Sequence, residues 1–465
     1  MNLDKCKGLA LGCLAGEGEF EIEGIKFQEC VEILGINFGC NIGTKNWPEI
    51  TQNIKVTLNM HSQRHLSLRG KAVVANAMAT SKLWYTGRVL DMPRYHIIEL
   101  KRSIFHFVYG ITQQKQKPEF LRRETLFLEW GNGGIGLVDI SLKFKAFRIL
   151  DMAKIVLEAV SDNELTKSAR LGLYWCGGAL NILVKLNTKH KVGYDINDEK
   201  PHYYKNSLAL FKDFMERHCE ESTDQEKIEK LKKLDAKTLY SIMNRERDRP
   251  KVERDFPQAN WTQQWKDSAC KHVDSDVKNT IFKLSHEVLP TKYRIYCQNN
   301  RKMSIRRYEI DKKKTLDSKR DMNQMGCPLC KDSEESQIHL MIECAYAKKA
   351  WLFVEEILRG LCNHRLKITY DMLARGKIPN VQQRDSVLII IYTAAHSIWT
   401  IRNLVFKEGD SYDDQSILRL LKKKLSLRIR ADHARKDFEA FLKMWGFETI
   451  IDKNNTNETE IALRF

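Results

Sequence analysis

Three cysteines and one histidine, spaced Cys327-x2-Cys330-x8-His339-x4-Cys344, are the residues of this sequence best suited to chemistry. Two thiolates across a tight C-x2-C turn can share one metal ion, and Pro328 helps to fix that turn. A later histidine and cysteine complete a tetrahedron. That suits zinc, which brings no ligand-field preference of its own. Four protein ligands leave no position for water, so zinc here would be structural. On one unbroken helix His339 and Cys344 would lie about 140° apart, so the backbone has to break between them. A bound ion offsets the helix hydrogen bonds lost there; structural zinc contributes roughly 10–16 kcal/mol in small fingers. The plainer reading makes these cysteines small buried residues, since cysteine is among the most buried types. The workable spacing of the fourth ligand and the polar loop "KDSEESQ" between the pairs favour the ion.

Other chemistry-like patterns are weaker. Gly131, Gly133 and Gly136 satisfy G-x-G-x-x-G after the strand-like "LFLEW", but a lone match does not specify dinucleotide binding. "GCNIGTKN" has the wrong glycine spacing for a P-loop. Asp413 and Asp414 form the one Asp-Asp pair, and just before the amphipathic "QSILRLLKKKL" they suit helix N-terminal capping better than metal binding.

The elements that would position these groups are mostly helical. "EFEIEGIKF" and "VEILGINFG" alternate as short strands. From Trp47 the period becomes helical, with Pro48 at a first helical position and Ile50, Ile54 and Leu58 on one face. A second helix is predicted over Leu68 to Tyr85, and a third from Pro93, with Ile97, Leu100, Ile104 and Val108 inward. "GNGGIGLVDI" makes a turn into a further helix. The charged stretch around 224–256 reads as an exposed helix followed by a linker near Pro250 and Pro257. Trp261 and Trp265 begin another packed helix. Further helices follow around Trp351, around Trp399, and from Gln415 to Trp445.

A chain of 465 residues exceeds one comfortable core. Lys and Arg number 77 against 60 Asp and Glu, a formal net charge of +17, which favours polyanionic partners. Between Arg301 and Asp321 nine basic residues face four acids. The twelve cysteines have no disulfide-like spacing and suit reduced, intracellular thiols. "LALGCLA" after Lys5 and Lys7 imitates a signal peptide without a clean cleavage site, so a nuclear or cytoplasmic rather than secreted protein is expected. The apolar run Val387 to Ala395 is far short of a bilayer span, so no membrane partner is expected.

Six stretches in order, "LDKCKGLALG", "VEILGINFG", "HLSLRGKAVVANAMATSKLWY", "GGIGLVDI", the cysteine cluster and "SIWTIRNLVF", resemble the C-terminal half of the reverse transcriptase of LINE-type (non-LTR) retrotransposons. The likeness covers most of the chain and is weakest between about 160 and 260. It implies that Lys5 is a remnant of the palm lysine that assists proton delivery to pyrophosphate. It also implies that Trp47 to about Tyr109 is a thumb along the template–primer duplex, and that Cys327 to Cys344 is a zinc knuckle handling RNA and target DNA. The family's metal-binding carboxylates belong to segments upstream of Met1. Mg²⁺ catalysis is therefore expected only of a full-length parent, and this chain is expected not to polymerise DNA alone. No Pro-Asp dipeptide occurs, which argues against the nuclease that some such tails carry.

The expected architecture is mainly α and multi-domain, with a short N-terminal β segment and a small zinc-knuckle module. It divides into a palm remnant (1–44), a thumb-like domain (45–150), a helical connector (151–300), a basic segment with the knuckle (301–360) and a helical tail (361–465). Expected phosphate contacts are Arg64, Arg69, Lys71, Arg306, Arg307, Lys313 and Arg402, on RNA, RNA–DNA or DNA duplex. For Arg402, sharing a face with Trp399 and Phe406, the reading as a core arginine is the favoured one. On the tail helix Arg419, Lys423 and Arg430 lie opposite Ile417, Leu421 and Leu425, as a solvated face or as phosphate contacts. The alternatives are a helical zinc-containing interaction protein or a retrotransposon remnant without function.

Overall fold

The structure is a computed structural model. It describes residues 6–10, 18–39, 42–111, 119–160, 202–219, 222–299, 325–362, 366–409, 412–413, 415–456 and 460–465. The chain is mainly α, and the strands among the described residues cluster near its N-terminus. It divides into two units: Met1–Pro118 with Gly136–Arg247, and Glu119–Ile135 with Asp248–Phe465.

In the first unit β1 (Lys7–Leu9) runs parallel to β3 (Ile25–Gln28), and β2 (Phe20–Ile22) pairs antiparallel with β3. β4 (Cys30–Ile33) and β5 (Ile36–Gly39) form a hairpin with Val31 opposite Phe38. Both two-residue turns have positive φ throughout, Glu23–Gly24 at 51° and 80° and Leu34–Gly35 at 52° and 77°. That conformation matches the strands' twist. The alternation read from the sequence does form short strands, and they pair as two hairpins.

Helix α1 (Ile42–Ser62) starts five residues before Trp47, so Pro48 lies inside it rather than at its first position. The reason is tertiary. The Asn46 side chain accepts from the Asn37 amide (2.8 Å) and donates to the carbonyls of Asn37 (2.8 Å) and Ile42 (3.0 Å), tying the early turn to β5. Those bonds hold a helical turn that Pro48 alone disfavours. Ile54 and Leu58 are buried as the period required, Ile50 at the start of that face is half-buried, and Trp47 is buried as well.

The helix expected over Leu68 to Tyr85 is broken into α2 (Leu68–Val74), a π segment (Ala75–Ala79), a 3₁₀ turn (Thr80–Leu83) and α3 (Trp84–Val89). Inside the π segment Asn76 donates to the Gly136 carbonyl (2.7 Å) and accepts from the Val138 amide (2.9 Å). α4 (Arg94–Tyr109) begins after Pro93 as expected and ends at Gly110 in the left-handed region (φ 66°).

After α5 (Arg123–Phe127), which belongs to the second unit, the first unit resumes with α6 (Ile140–Val160), α7 (His202–Cys219), α8 (Asp224–Lys232) and α9 (Ala236–Arg245). Ala146, Met152 and Val156 of α6 pack on Phe211, Met215 and Leu239. A capping box between Thr223 and Glu226 starts α8, and Asp235 caps α9.

The second unit contains α10 (Lys251–Asp255), α11 (Trp261–Ser268), α12 (Ser275–Ser285) and α13 (Lys292–Asn299), followed by the cysteine loop. It continues through α14 (Ala345–Cys362), α15 (Tyr370–Ala374), α16 (Arg384–Glu408), α17 (Ser416–Arg435) and α18 (Phe438–Trp445). Helix was expected around Trp261, Trp351, Trp399 and from Gln415, and each stretch is helical; the linker expected near Pro250 instead holds α10, because Val252 packs with Trp261 and Trp265 in one buried cluster.

Ile281, Cys327, Leu340, Cys344, Val354, Ile391, Leu421 and Trp445 belong to one buried cluster, so the cysteine loop shares a core with the helices that follow it. Its own apolar residues are too few to form a core, and they share that of α12, α14, α16 and α17.

Within α16, Arg384–Lys407 has the length and composition to cross a membrane, but 72% of its most apolar window is buried. Val387 through Tyr392 pack inside the unit, so α16 is a core helix.

Candidate metal centre

The cysteine loop opens with a bridge between Gly326 and Glu334. Inside it the Cys327 amide donates to the Ser333 carbonyl (2.8 Å), and the Lys331 amide donates to the Cys327 carbonyl (2.9 Å). Lys331 has φ 62°, a left-handed residue that reverses the chain directly after Cys330. This turn brings both sulfurs of the C-x2-C pair to one side.

His339 follows on a short helical stretch whose first turn is held by Ser336, the hydroxyl of which accepts from the His339 amide (2.9 Å). His339–Glu343 is a π turn, and the Cys344 amide donates to the His339 carbonyl five residues back (2.7 Å). Cys344 itself is out of the helix, at φ −58° and ψ 134°. The break required between His339 and Cys344 is present: a wider π turn and an extended residue aim the two side chains at one point. Trp351 Nε1 donates to the Met341 carbonyl (2.6 Å) and pins the turn to α14.

The four ligand atoms lie within 4.8 Å of one another. Cys327 Sγ and Cys344 Sγ are 4.0 Å apart, and Cys330 Sγ is 3.3 Å from His339 Nε2. A zinc tetrahedron with Zn–S near 2.3 Å has sulfurs about 3.8 Å apart, so the cage has the dimensions of a small tetrahedral ion. Cys327 and Cys344 are buried, His339 is 7% exposed and Cys330 is half-buried. The cluster can hold a metal.

The electrostatics suit a cation. Burial pushes the His339 imidazole down, which keeps it in the neutral form that ligates. Burial pushes the Cys330 thiol up. Cys327 is pushed up first by its hydrogen bond to Cys344 and then by burial. Cys344 is lowered first by that same bond, against burial, with help from the Tyr346 and Ala347 amides at the start of α14. Of the three thiols Cys344 is thus the one whose proton a divalent ion displaces most readily.

Sequence reasoning missed Glu335, in the loop between the ligand pairs. Its side chain is 0% exposed; it accepts from the Lys292 amide (2.5 Å) and from Nε and Nη2 of Arg402, the latter at 2.5 Å. Arg402 is 2% exposed, with its guanidinium 5.1 Å from the Trp399 ring and 4.6 Å from the Phe406 ring. Arg402 is therefore not a phosphate contact. It is a core arginine that ties α16 to the metal loop, because a buried guanidinium needs a buried carboxylate. The available signal was an arginine inside an otherwise apolar helix.

Arg64 and Arg69 are exposed in the first unit. Lys71 is half-buried; its Nζ donates to the Val108 carbonyl (3.1 Å) and sits 5.8 Å from the Phe107 ring, so its charge is largely committed to packing. Lys5, Arg306, Arg307 and Lys313 lie outside the described residues, as does Asp414. Asp413 accepts from the Ser416 hydroxyl and from Arg419 Nη2 (2.6 and 2.7 Å), whereas the cap position of α17 is Gln415, without a side-chain bond. Gly133 has φ 78° and packs against Pro250 and Trp265, where a Cβ would fall 2.8 Å from either side chain. It is a packing glycine, with no room there for a pyrophosphate.

No protein-family model matches this sequence, and no curated protein matches it.

Proposed function

We propose that the chain holds structural zinc and is the nucleic-acid-binding C-terminal part of a LINE-type reverse transcriptase, without a polymerase active site of its own. The observation that carries this reading is the convergence of Cys327, Cys330, His339 and Cys344 within 4.8 Å. That spacing of donors occurs in the order of motifs that resembles the family. The charge of +17 suits a phosphodiester partner, and Arg64 and Arg69 are exposed to solvent. Zinc would be held by the four side chains and would fix the loop against α14 and α16. Magnesium belongs to a complete parent enzyme.

Purified full chain, titrated with a labelled RNA hairpin and an RNA–DNA duplex by fluorescence anisotropy, tests the reading. Log affinity should fall linearly with log salt, and primer extension with Mg²⁺ should be absent. Affinity that does not change between low and moderate salt contradicts nucleic-acid binding.

One observation favours a second reading, a helical zinc-containing interaction protein. The cluster lies in a shared core, and Arg402 next to it is consumed by Glu335. Equally weak binding to RNA and to heparin would select that reading.

A further inference from the structure

Helix α17 carries seven basic residues, Arg419, Lys422, Lys423, Lys424, Arg428, Arg430 and Arg435, and one acid, Asp432. Asp432 is buried and already committed, accepting from Arg428 Nε (3.0 Å) and Trp445 Nε1 (3.0 Å). Arg428 also pairs with Asp274 (3.0 Å), Arg419 pairs with Asp413 (2.6 Å), and Lys424 is drawn inward, its Nζ 3.5 Å from the Thr400 hydroxyl. Lys423 and Arg430 are exposed, and Leu427 between them is 59% exposed. At 100° per residue these three fall within about 60° of one another, with the two cations about 10 Å apart along the axis.

We propose that this face of α17, centred on Lys423, Leu427 and Arg430, is a docking surface for the sugar–phosphate backbone of a nucleic acid. The proposal rests on the nucleic-acid reading above and assigns to it a surface in the second unit.

Three observations support the assignment. First, the opposite face of α17 is locked: Ile417, Leu421, Leu425 and Ile429 are all at most 1% exposed, so the cations project from a rigid support. Second, a solvated helix face usually mixes signs, with acids four residues from lysines supporting the helix. Here no acid on α17 is exposed, and Lys423 and Arg430 add like charge that folding alone does not require. Third, the occupant is narrowed by what is buried. A basic amphipathic helix binds an anionic membrane by inserting its apolar face, but the apolar face of α17 is already inside the core. A phosphodiester needs no insertion, and an apolar Leu427 between two cations suits a sugar between two phosphates.

The test uses the full chain loaded with zinc and fluorescence anisotropy against a labelled single-stranded RNA and an RNA–DNA duplex. In Lys423→Ala/Arg430→Ala, affinity should fall about tenfold at moderate salt, and the slope of log affinity against log salt should shrink by about 1.4–1.8. Charge-conserving Lys423→Arg/Arg430→Lys should restore both. Circular dichroism should be unchanged, since both side chains are exposed. Wild-type affinity and slope in the alanine variant overturn this surface and leave the nucleic-acid reading standing. Absence of salt-dependent binding by the wild-type chain overturns both. Binding to phosphatidylserine vesicles that the alanine variant loses, with RNA binding intact, overturns the assignment in favour of a lipid surface.

Discussion

The carboxylate of Glu335 and the guanidinium of Arg402 form a solvent-sealed ion pair that joins the loop between the metal-ligand pairs to the core helix α16. Removing one partner strands a buried charge, which costs about 3–5 kcal/mol, whereas replacing both by neutral groups is often tolerated. Arg402→Met should therefore lower unfolding stability by about that amount. Glu335→Gln/Arg402→Met should recover most of the loss, because glutamine still accepts from the Lys292 amide. Urea unfolding of the single and double variants measures the coupling, and additive losses would mean that the two residues act independently.

Metal content is checked at the ligands. Purified protein should carry about one zinc per chain, and Cys327→Ser or Cys344→Ser should reduce it to near zero. Cys362→Ser, at a half-buried cysteine outside the cluster, should retain it. Cys344 and Leu340 sit in the same core as Trp351 and Trp445, so chelation should lower the unfolding midpoint of the whole second unit and alter its tryptophan fluorescence. Elemental analysis beside thermal melts with and without chelator distinguishes this from a self-contained module, which would lose zinc with little change in midpoint.

The local chemistry of this fold was largely legible in the sequence, and its tertiary commitments were not. Alternation found the short N-terminal strands, Pro93 marked the start of α4, and ligand spacing alone required a break before Cys344. Each of these depends on residues close in sequence. The start of α1 depends on Asn46 reaching back to β5, and the π segment after α2 contains Asn76, which holds residues some sixty positions away. Neither partner is visible to a periodicity argument. Arg402 was open to both a core and a phosphate role until Glu335, 67 residues earlier, was placed against it.

Arg64 and Lys71 should separate by function. Arg64 is exposed, so Arg64→Ala should change stability by no more than about 0.5 kcal/mol. It should reduce the salt slope of nucleic-acid binding by about 1. Lys71 donates into the backbone of α4, so Lys71→Ala should cost about 0.5–1.5 kcal/mol of stability and leave the slope nearly unchanged. Anisotropy titrations at several salt concentrations, paired with denaturation curves, check both halves. A Lys71 variant that shifts the slope while keeping its stability would reverse the assignment.

Acid should destabilise the second unit through its buried imidazoles. His286 is packed between Trp265 and Phe282, and its Nε2–H donates to the Gly133 carbonyl (2.8 Å). Burial, against that hydrogen bond, lowers its pKa from 6.5 to about 4. His396, which faces the Thr280 hydroxyl, is likewise lowered to about 4, by burial and then by Lys424. As pH falls below 6.5 the unfolded chain takes up these protons first, so their stabilising contribution is complete above that pH. It declines from pH 6.5 to about 4 and stays flat below. For His286 the decline amounts to roughly 3 kcal/mol. His286→Gln can still donate to Gly133 but cannot titrate, so its urea midpoint should depend less on pH between 6.5 and 4 than that of the wild-type chain. Measured at saturating zinc, the difference between the two pH profiles isolates His286 from ligand protonation at the metal centre. Parallel profiles would show that His286 binds its proton equally in the folded and unfolded states.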